Sequence, residues 1–203
     1  MYNHDLINLI AAHVTNLYEQ YQTPELVYHN LAHTRRVVKR TNEIAAQYSL
    51  NEEELFIVTA AAWFHDCGHL FGQAKFHEDR SAVIMRDFLE KEMIGKNLIN
   101  LIEQCILSTK LPNKPKSFLE KIICDADSYH LGTDEFIQTN KMVKRELELR
   151  KQSILLNWNE DSIKLLEHQV YFTTFCKELL DEGIKKNISI LKKQIKEDSV
   201  GKE

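Results

Sequence analysis

Only three prolines and six glycines occur among the 203 residues, too few for a turn-rich β architecture and consistent with long helices. No apolar run approaches the roughly 20 residues that a membrane-spanning helix needs. An excess of positive charge is also missing. Lys and Arg total 26 against 30 Asp and Glu, a net charge of -4, which argues against a general nucleic-acid binder with its basic face. Cys67, Cys105, Cys124 and Cys176 lie far apart with no Cys-x-x-Cys. They read as buried thiols of a reducing compartment, neither a disulfide frame nor a zinc knuckle. The opening MYNHDLINLIAAHV lacks the charged-then-apolar plan of a secretory signal, so the cytoplasm is the expected address. What remains is ordinary for a globular chain: 43% hydrophobic and 28% charged residues, with length for one large domain.

Helical periodicity runs through nearly every segment, and no stretch alternates as a strand. An all-α bundle of eight or nine helices in one domain is expected, its core over about 24–135 and the helices of about 136–197 packed on it. The first helices fall at 5–21, from Asn30 onward, and from near Asn51 with Glu52, Glu53 and Glu54 in its first turn. That third helix becomes apolar nearly all round by Ala60–Phe64 and should lie at the centre. Others are expected at 78–92, 96–108, 117–131, 134–153, 159–181 and 183–197, with a disordered tail KEDSVGKE.

Several ionisable residues sit where apolar ones would be expected. His33 precedes Val37 by one turn on the inward side of the second helix, His65-Asp66 ends the most apolar helix, and Asp127 follows Ile123 by four residues. Each alone has an ordinary explanation, a core histidine satisfied by a carbonyl or a carboxylate capping a helix. Together, two imidazoles and two carboxylates in one interior are explained by a divalent metal, which neutralises both acids and uses both rings. His4-Asp5 is the same dipeptide in a polar stretch and is expected to be inert. On a helical wheel Asp127 lies nearer the apolar stripe than Asp125, which reads as surface or outer support, although Asp125 competes for the role.

The order YHNLAH, FHDCG, STK and DADSYHLG resembles the HD-domain superfamily of metal-dependent phosphohydrolases, and is similar to its branch of predicted metal-dependent HD phosphohydrolases. The likeness covers about residues 28–135 well and the C-terminal helices through EHQVYFTT more loosely. It implies an HD-type helical bundle, with His33, His65, Asp66 and Asp127 as ligands of one divalent ion: Mn, Fe, Co, Ni, Zn or Mg. It also implies hydrolysis of a small phosphorylated substrate, a nucleotide being one candidate. A branch histidine shortly after the Thr-Lys is replaced here by Leu111-Pro112, and the spacing of His69 and His77 does not match two-metal patterns, so a single ion is expected.

Around this centre, Asp66, His77 and Glu78 are the candidate catalytic residues, while His29, Arg36 and Lys110 are the candidate phosphate contacts. Glu78 in a first turn and Lys110 in a loop also fit plain structural roles. Arg80 is a further candidate anion clamp, and His168, Tyr171 and Phe175 are expected on one face of a late helix. No nucleic-acid or membrane partner is expected. The rival functions are a non-catalytic nucleotide-binding sensor and an HD-type di-iron oxygenase, the latter requiring more histidine ligands.

Overall fold

Asn30 and Asn51 set the starts of the two helices that matter most. The computed structural model describes residues 4–151 and 153–200. Asn30 accepts hydrogen bonds from the N–H groups of Ala32 and His33 and opens α2 (Leu31–Ala45), while Asn51 and Glu54 form a reciprocal capping box that opens α3 (Glu52–Phe64). Before them runs α1 (His4–Tyr21); after them come α4 (His77–Lys91), α5 (Lys96–Ser108), α6 (Phe118–Asp127), α7 (Phe136–Lys151), α8 (Trp158–His168) and α9 (Thr174–Val200). Short 3₁₀ turns cover Cys67–Phe71 and Ser128–Gly132. The fold is all-α, with nine α-helices and no strand among the described residues.

α3 is the central element. It packs against α1, α2, α5 and α6, and Ala60, Ala61 and Ala62 are all completely buried. These small side chains let several helices approach one backbone, while Phe56, Ile57 and Phe64 fill the space between them. The end of α3 therefore falls deep in the molecule, and so do His65 and Asp66.

The C-terminal part departs from the sequence reading. Instead of helices over 159–181 and 183–197, α8 stops at His168, residues 169–173 form a loop, and α9 runs unbroken through Gly183 to Val200. The loop exists because Asp125 draws in its backbone: Oδ1 accepts from Phe172 N–H and Oδ2 from Thr173 N–H, both at 2.8 Å. Thr173 Oγ1 also donates to Oδ2, at 2.7 Å. Asp125 is completely buried, contrary to the expectation of surface or outer support near the metal. Its neighbour in sequence, Asp127, faces another way. Tyr171 lies in the loop and donates to Ser128 O at 3.1 Å, while His168 ends α8, so His168, Tyr171 and Phe175 share no single helix face. Gly183 does not break the helix. It lies against Gly132, whose carbonyl oxygen would be only 1.8 Å from any Cβ placed there. Asn187, one turn on, donates to the carbonyls of Leu131 and Thr133 at 2.9 and 3.0 Å. Of the expected disordered tail, residues 196–200 belong to α9 and 201–203 lie outside the described residues.

We expect Asp125→Ala to lower the thermal midpoint by about 10 °C while leaving metal content unchanged. Two N–H groups and a hydroxyl lose a charged acceptor, roughly 3 kcal/mol in all, and a chain of this size loses about 2–4 °C per kcal/mol. Calorimetry with parallel metal analysis checks both halves.

Candidate metal centre

α2, α3 and α6 converge where their polar residues interrupt the core. His33 Nε2 lies 3.1 Å from Asp66 Oδ2 and 3.3 Å from Asp127 Oδ1. His65 Nε2 lies 3.2 Å and 3.6 Å from the same two oxygens, and 3.4 Å from His33 Nε2. His33, His65 and Asp66 are buried; the Asp127 side chain keeps 29% of its surface open and forms the mouth.

The local backbone explains why these atoms meet. α3 ends at Phe64, and His65 Nδ1 lies 2.9 Å from Ala62 O. A carbonyl only accepts, so Nδ1 carries the proton and Nε2 turns its lone pair inward. Asp66 Oδ2, buried and without a hydrogen-bond donor, faces that lone pair and His33 Nε2. A bare carboxylate oxygen against an imidazole lone pair requires a cation or a proton between them. The donor set of two imidazoles and two carboxylates suits a divalent ion and leaves positions free on it.

The electrostatics point the same way. Burial opposes the charged imidazolium of both histidines, yet the carboxylates outweigh it. The negative carboxylates of Asp127 and Asp66 beside it raise His33, and those of Asp66 and Asp127 raise His65 well above the ordinary value. Both carboxylates are held low by the imidazoles despite burial, His65 and His33 acting on Asp66 and His33 and His65 on Asp127. A metal needs both Nε2 atoms bare, so binding must expel protons that the metal-free site holds more tightly than free imidazole does. Metal affinity is accordingly expected to fall as the pH drops through and below neutrality, with proton release on binding. Titration calorimetry in buffers of different ionisation enthalpy measures that release; a pH-independent affinity would contradict the charge balance described here.

The candidate outer residues divide. His77 reaches the centre: its Nδ1 lies 2.8 Å from Ala74 O and its Nε2 3.2 Å from Asp66 Oδ1. Glu78, also buried, places Oε2 3.5 Å from His77 Nδ1. His29 stacks on His69 with ring centroids 4.1 Å apart, and His69 on His77 at 3.8 Å, a three-ring column beside Asp66. Arg36 has a buried, unpartnered Nη2 and lines a cavity of about 20 Å³, room for one water, with His33, Asp127, Tyr28, Arg40 and His130. Burial, with His33 alongside, pushes His130 down to about 4. Lys110 instead pairs with Asp79 at 2.6 Å on the surface. Arg80 is not an anion clamp: its guanidinium donates to the carbonyls of Gly68, Lys75 and Gln73 and ties down the loop before α4. Asp5 is exposed on α1, and the side chain of His4 falls outside the described residues.

Glu146 and Arg150 were missed by the sequence reading. From α7, Glu146 Oε2 accepts the N–H groups of Tyr28 and His29 at 2.8 and 2.9 Å, while Oε1 takes His29 Nδ1 at 2.5 Å. Arg150 Nη1 donates to His69 Nδ1 at 2.8 Å. A Glu–Arg pair four residues apart reads in sequence as a solvated helix rung, and only its partners distinguish it. On the far side of His69 lies a cavity of about 690 Å³, lined by Leu26, Gly72, Gln73, Lys75, Leu147 and Arg150 among others.

These features define a class, an all-helical protein with a buried His/Asp centre able to hold a cation. The chain belongs to the HD domain family, whose model matches residues 30–132, a little over half its length. HD domains bind divalent metals. The fold is similar to that of a predicted HD superfamily hydrolase from an uncultured Thermotogales bacterium, with TM-score 0.61, 16% identity, and coverage of 94% of this chain and 91% of that one. It is also similar to the Lin1889 protein from Listeria innocua, with TM-score 0.60, 18% identity, and coverage of 94% and 97%. No curated protein matches the sequence. Among the described residues no helix is long and apolar enough to cross a membrane.

Proposed function

We propose that this protein is a metal-dependent phosphohydrolase acting on a small phosphoester, a nucleotide being one candidate. The orphaned, buried Asp66 Oδ2 between two imidazoles carries the reading, because it calls for a cation at the centre. His33, His65, Asp66 and Asp127 would hold it. When bound, a divalent ion acidifies a water toward pKa ~7 and polarises the phosphorus centre.

The remaining steps belong to side chains. His77, with Nδ1 turned to Ala74 O, offers Nε2 to take a proton and return it to the leaving oxygen. Glu78 lies beside Nδ1 and stabilises the imidazolium that forms. The carboxylate of Asp66 is a second proton acceptor in reach of the same volume. Arg36, with its unpartnered Nη2, would bind a phosphate oxygen, as would His29, and Lys110 would do so on leaving Asp79. The 690 Å³ cavity beside His69 has the size of a small-molecule site and would take the rest of the substrate. We infer a single cytoplasmic domain working on a small substrate, with no nucleic-acid or membrane partner.

The test is metal analysis of protein purified without chelator, then a phosphate-release screen over nucleotides, cyclic nucleotides and sugar phosphates. We expect about one divalent ion per chain and chelator-sensitive release from at least one class. A metal-loaded protein that releases phosphate from none would transfer support to the sensor reading, and oxygen consumption by an iron form to the oxygenase.

A further inference from the structure

Among the described residues, two groups come close enough to hold an ion, and they meet at Asp66. One is His33, His65 and Asp127; the other is His29, Asp66 and His69, whose candidate ligand atoms lie within 4.8 Å of one another. Taken by distance alone, the second group is a second metal position. The hydrogen bonds around it say otherwise.

Arginine has donors and no acceptor, so the 2.8 Å contact from Arg150 Nη1 requires a bare lone pair on His69 Nδ1. The single ring proton of His69 must then sit on Nε2. That Nε2 is buried, has no hydrogen-bond partner and stands 3.9 Å from Asp66 Oδ1, on a residue only 4% exposed. The arrangement is not a loose surface contact. Arg150 is held on its other side by Gly72 O, which accepts from Nη2 at 2.5 Å, and by Glu146 Oε1 at 3.5 Å. Glu146 is itself fixed by the N–H groups of Tyr28 and His29 and by the His29 ring. One turn of α7 thus grips both outer histidines and treats them differently. His29 gives its Nδ1 proton to a carboxylate, and His69 receives a proton donor at the same ring position.

We propose that Arg150 is a positioning residue that fixes His69 as the Nε2–H tautomer, making it a hydrogen-bond donor beside Asp66 and barring it from serving as a ligand of a second ion. The proposal rests on the metal-centre reading only for its second half. A ring nitrogen that carries a proton has no lone pair for a metal, so the centre holds one ion, and the buried N–H is left to meet an oxygen of the substrate. Arg150 thereby sets the metal count without touching metal.

The test begins with the tautomer, read from two-bond nitrogen–proton correlation spectra of metal-free, uniformly ¹⁵N-labelled protein, with His69 assigned from His69→Gln. Wild type is expected to show an unprotonated Nδ1 and a protonated Nε2. Arg150→Lys, still a donor, should keep that pattern, and Arg150→Leu should lose it. A wild-type His69 protonated on Nδ1 overturns the proposal, whether or not any variant folds. The second readout is the number of Zn²⁺ equivalents retained after dialysis: one for wild type and Arg150→Lys, two for Arg150→Leu. Two equivalents at the wild-type centre, or still one in Arg150→Leu, overturns the metal-count half. A wild type that holds no zinc removes the proposed function instead, and the tautomer, measured without metal, still decides the role of Arg150.

Discussion

Asp66→Ala protein is expected to fold, to emerge from purification without metal, and to release phosphate at least ~10³-fold more slowly than wild type, a barrier change of about 4 kcal/mol. Asp66 is the residue on which the centre turns, since its two oxygens face His33, His65 and His77. Folding should survive for a reason of balance. Removing one member of a buried ion pair is costly when it strands its partner's charge, and that cost is avoided where the partner can shed its proton. The imidazoles can do so. Stability should separate the two proteins only when metal is present, because an ion that binds the folded chain alone raises the thermal midpoint by mass action. Chelator should therefore lower the midpoint of wild type and leave that of Asp66→Ala unmoved. Lys110→Ala is the control. Its exposed ion pair with Asp79 contributes about 0–1 kcal/mol, so metal content and midpoint should hold while any effect falls on KM. An Asp66→Ala protein with full metal and full activity would refute the centre.

Gly183→Ala is expected to lower the thermal midpoint by about 6–12 °C, although alanine is the better helix former. Propensity favours the change by about 1 kcal/mol. Against it stands a Cβ that would lie 1.8 Å from Gly132 O, and both sides of that contact are backbone. Relief requires α9 to lift away from the 3₁₀ turn, which strains the packing by roughly 1–3 kcal/mol or more. The same motion stretches the two hydrogen bonds of Asn187, each contributing about 1 kcal/mol. The sum is a net loss of about 3 kcal/mol, and differential scanning calorimetry reads it as the stated shift at about 2–4 °C per kcal/mol. A variant as stable as wild type would show that the glycine contact yields.

Features written locally in the chain were legible. Asn30 and Asn51 cap the helices they precede, and the bounds of α5 agree with the reading because a proline-containing loop follows. The all-α class and the HD resemblance rested on periodicity and on the order of YHNLAH, FHDCG and DADSYHLG, both properties of contiguous residues. What was hidden depends on distant partners. The stop between α8 and α9 is set by hydrogen bonds from Phe172 and Thr173 to Asp125, 47 and 48 residues away. No helical wheel contains that contact, so Asp125 was placed by its own helix's stripe and its burial was missed. Glu146 and Arg150 were overlooked for the same reason, with Glu146 117 residues from His29 and Arg150 81 from His69. Arg80 looked available until its loop carbonyls were in view.

Asp125 and Asp127 sit on one helical turn with Ala126 between them, and they answer to opposite sides of the molecule. The first grips the loop that launches α9; the second stands at the mouth of the candidate metal centre. An α-helix rotates about 100° per residue, so the two directions are fixed relative to each other by the backbone itself. Neither carboxylate can be re-aimed by sliding or rotating α6 without carrying the other with it. The rotational phase of one ten-residue helix is therefore calibrated twice, by the geometry of the His/Asp cluster on one face and by the seating of the C-terminal helices on the other. An insertion or deletion within α6 would put both out of phase in a single event.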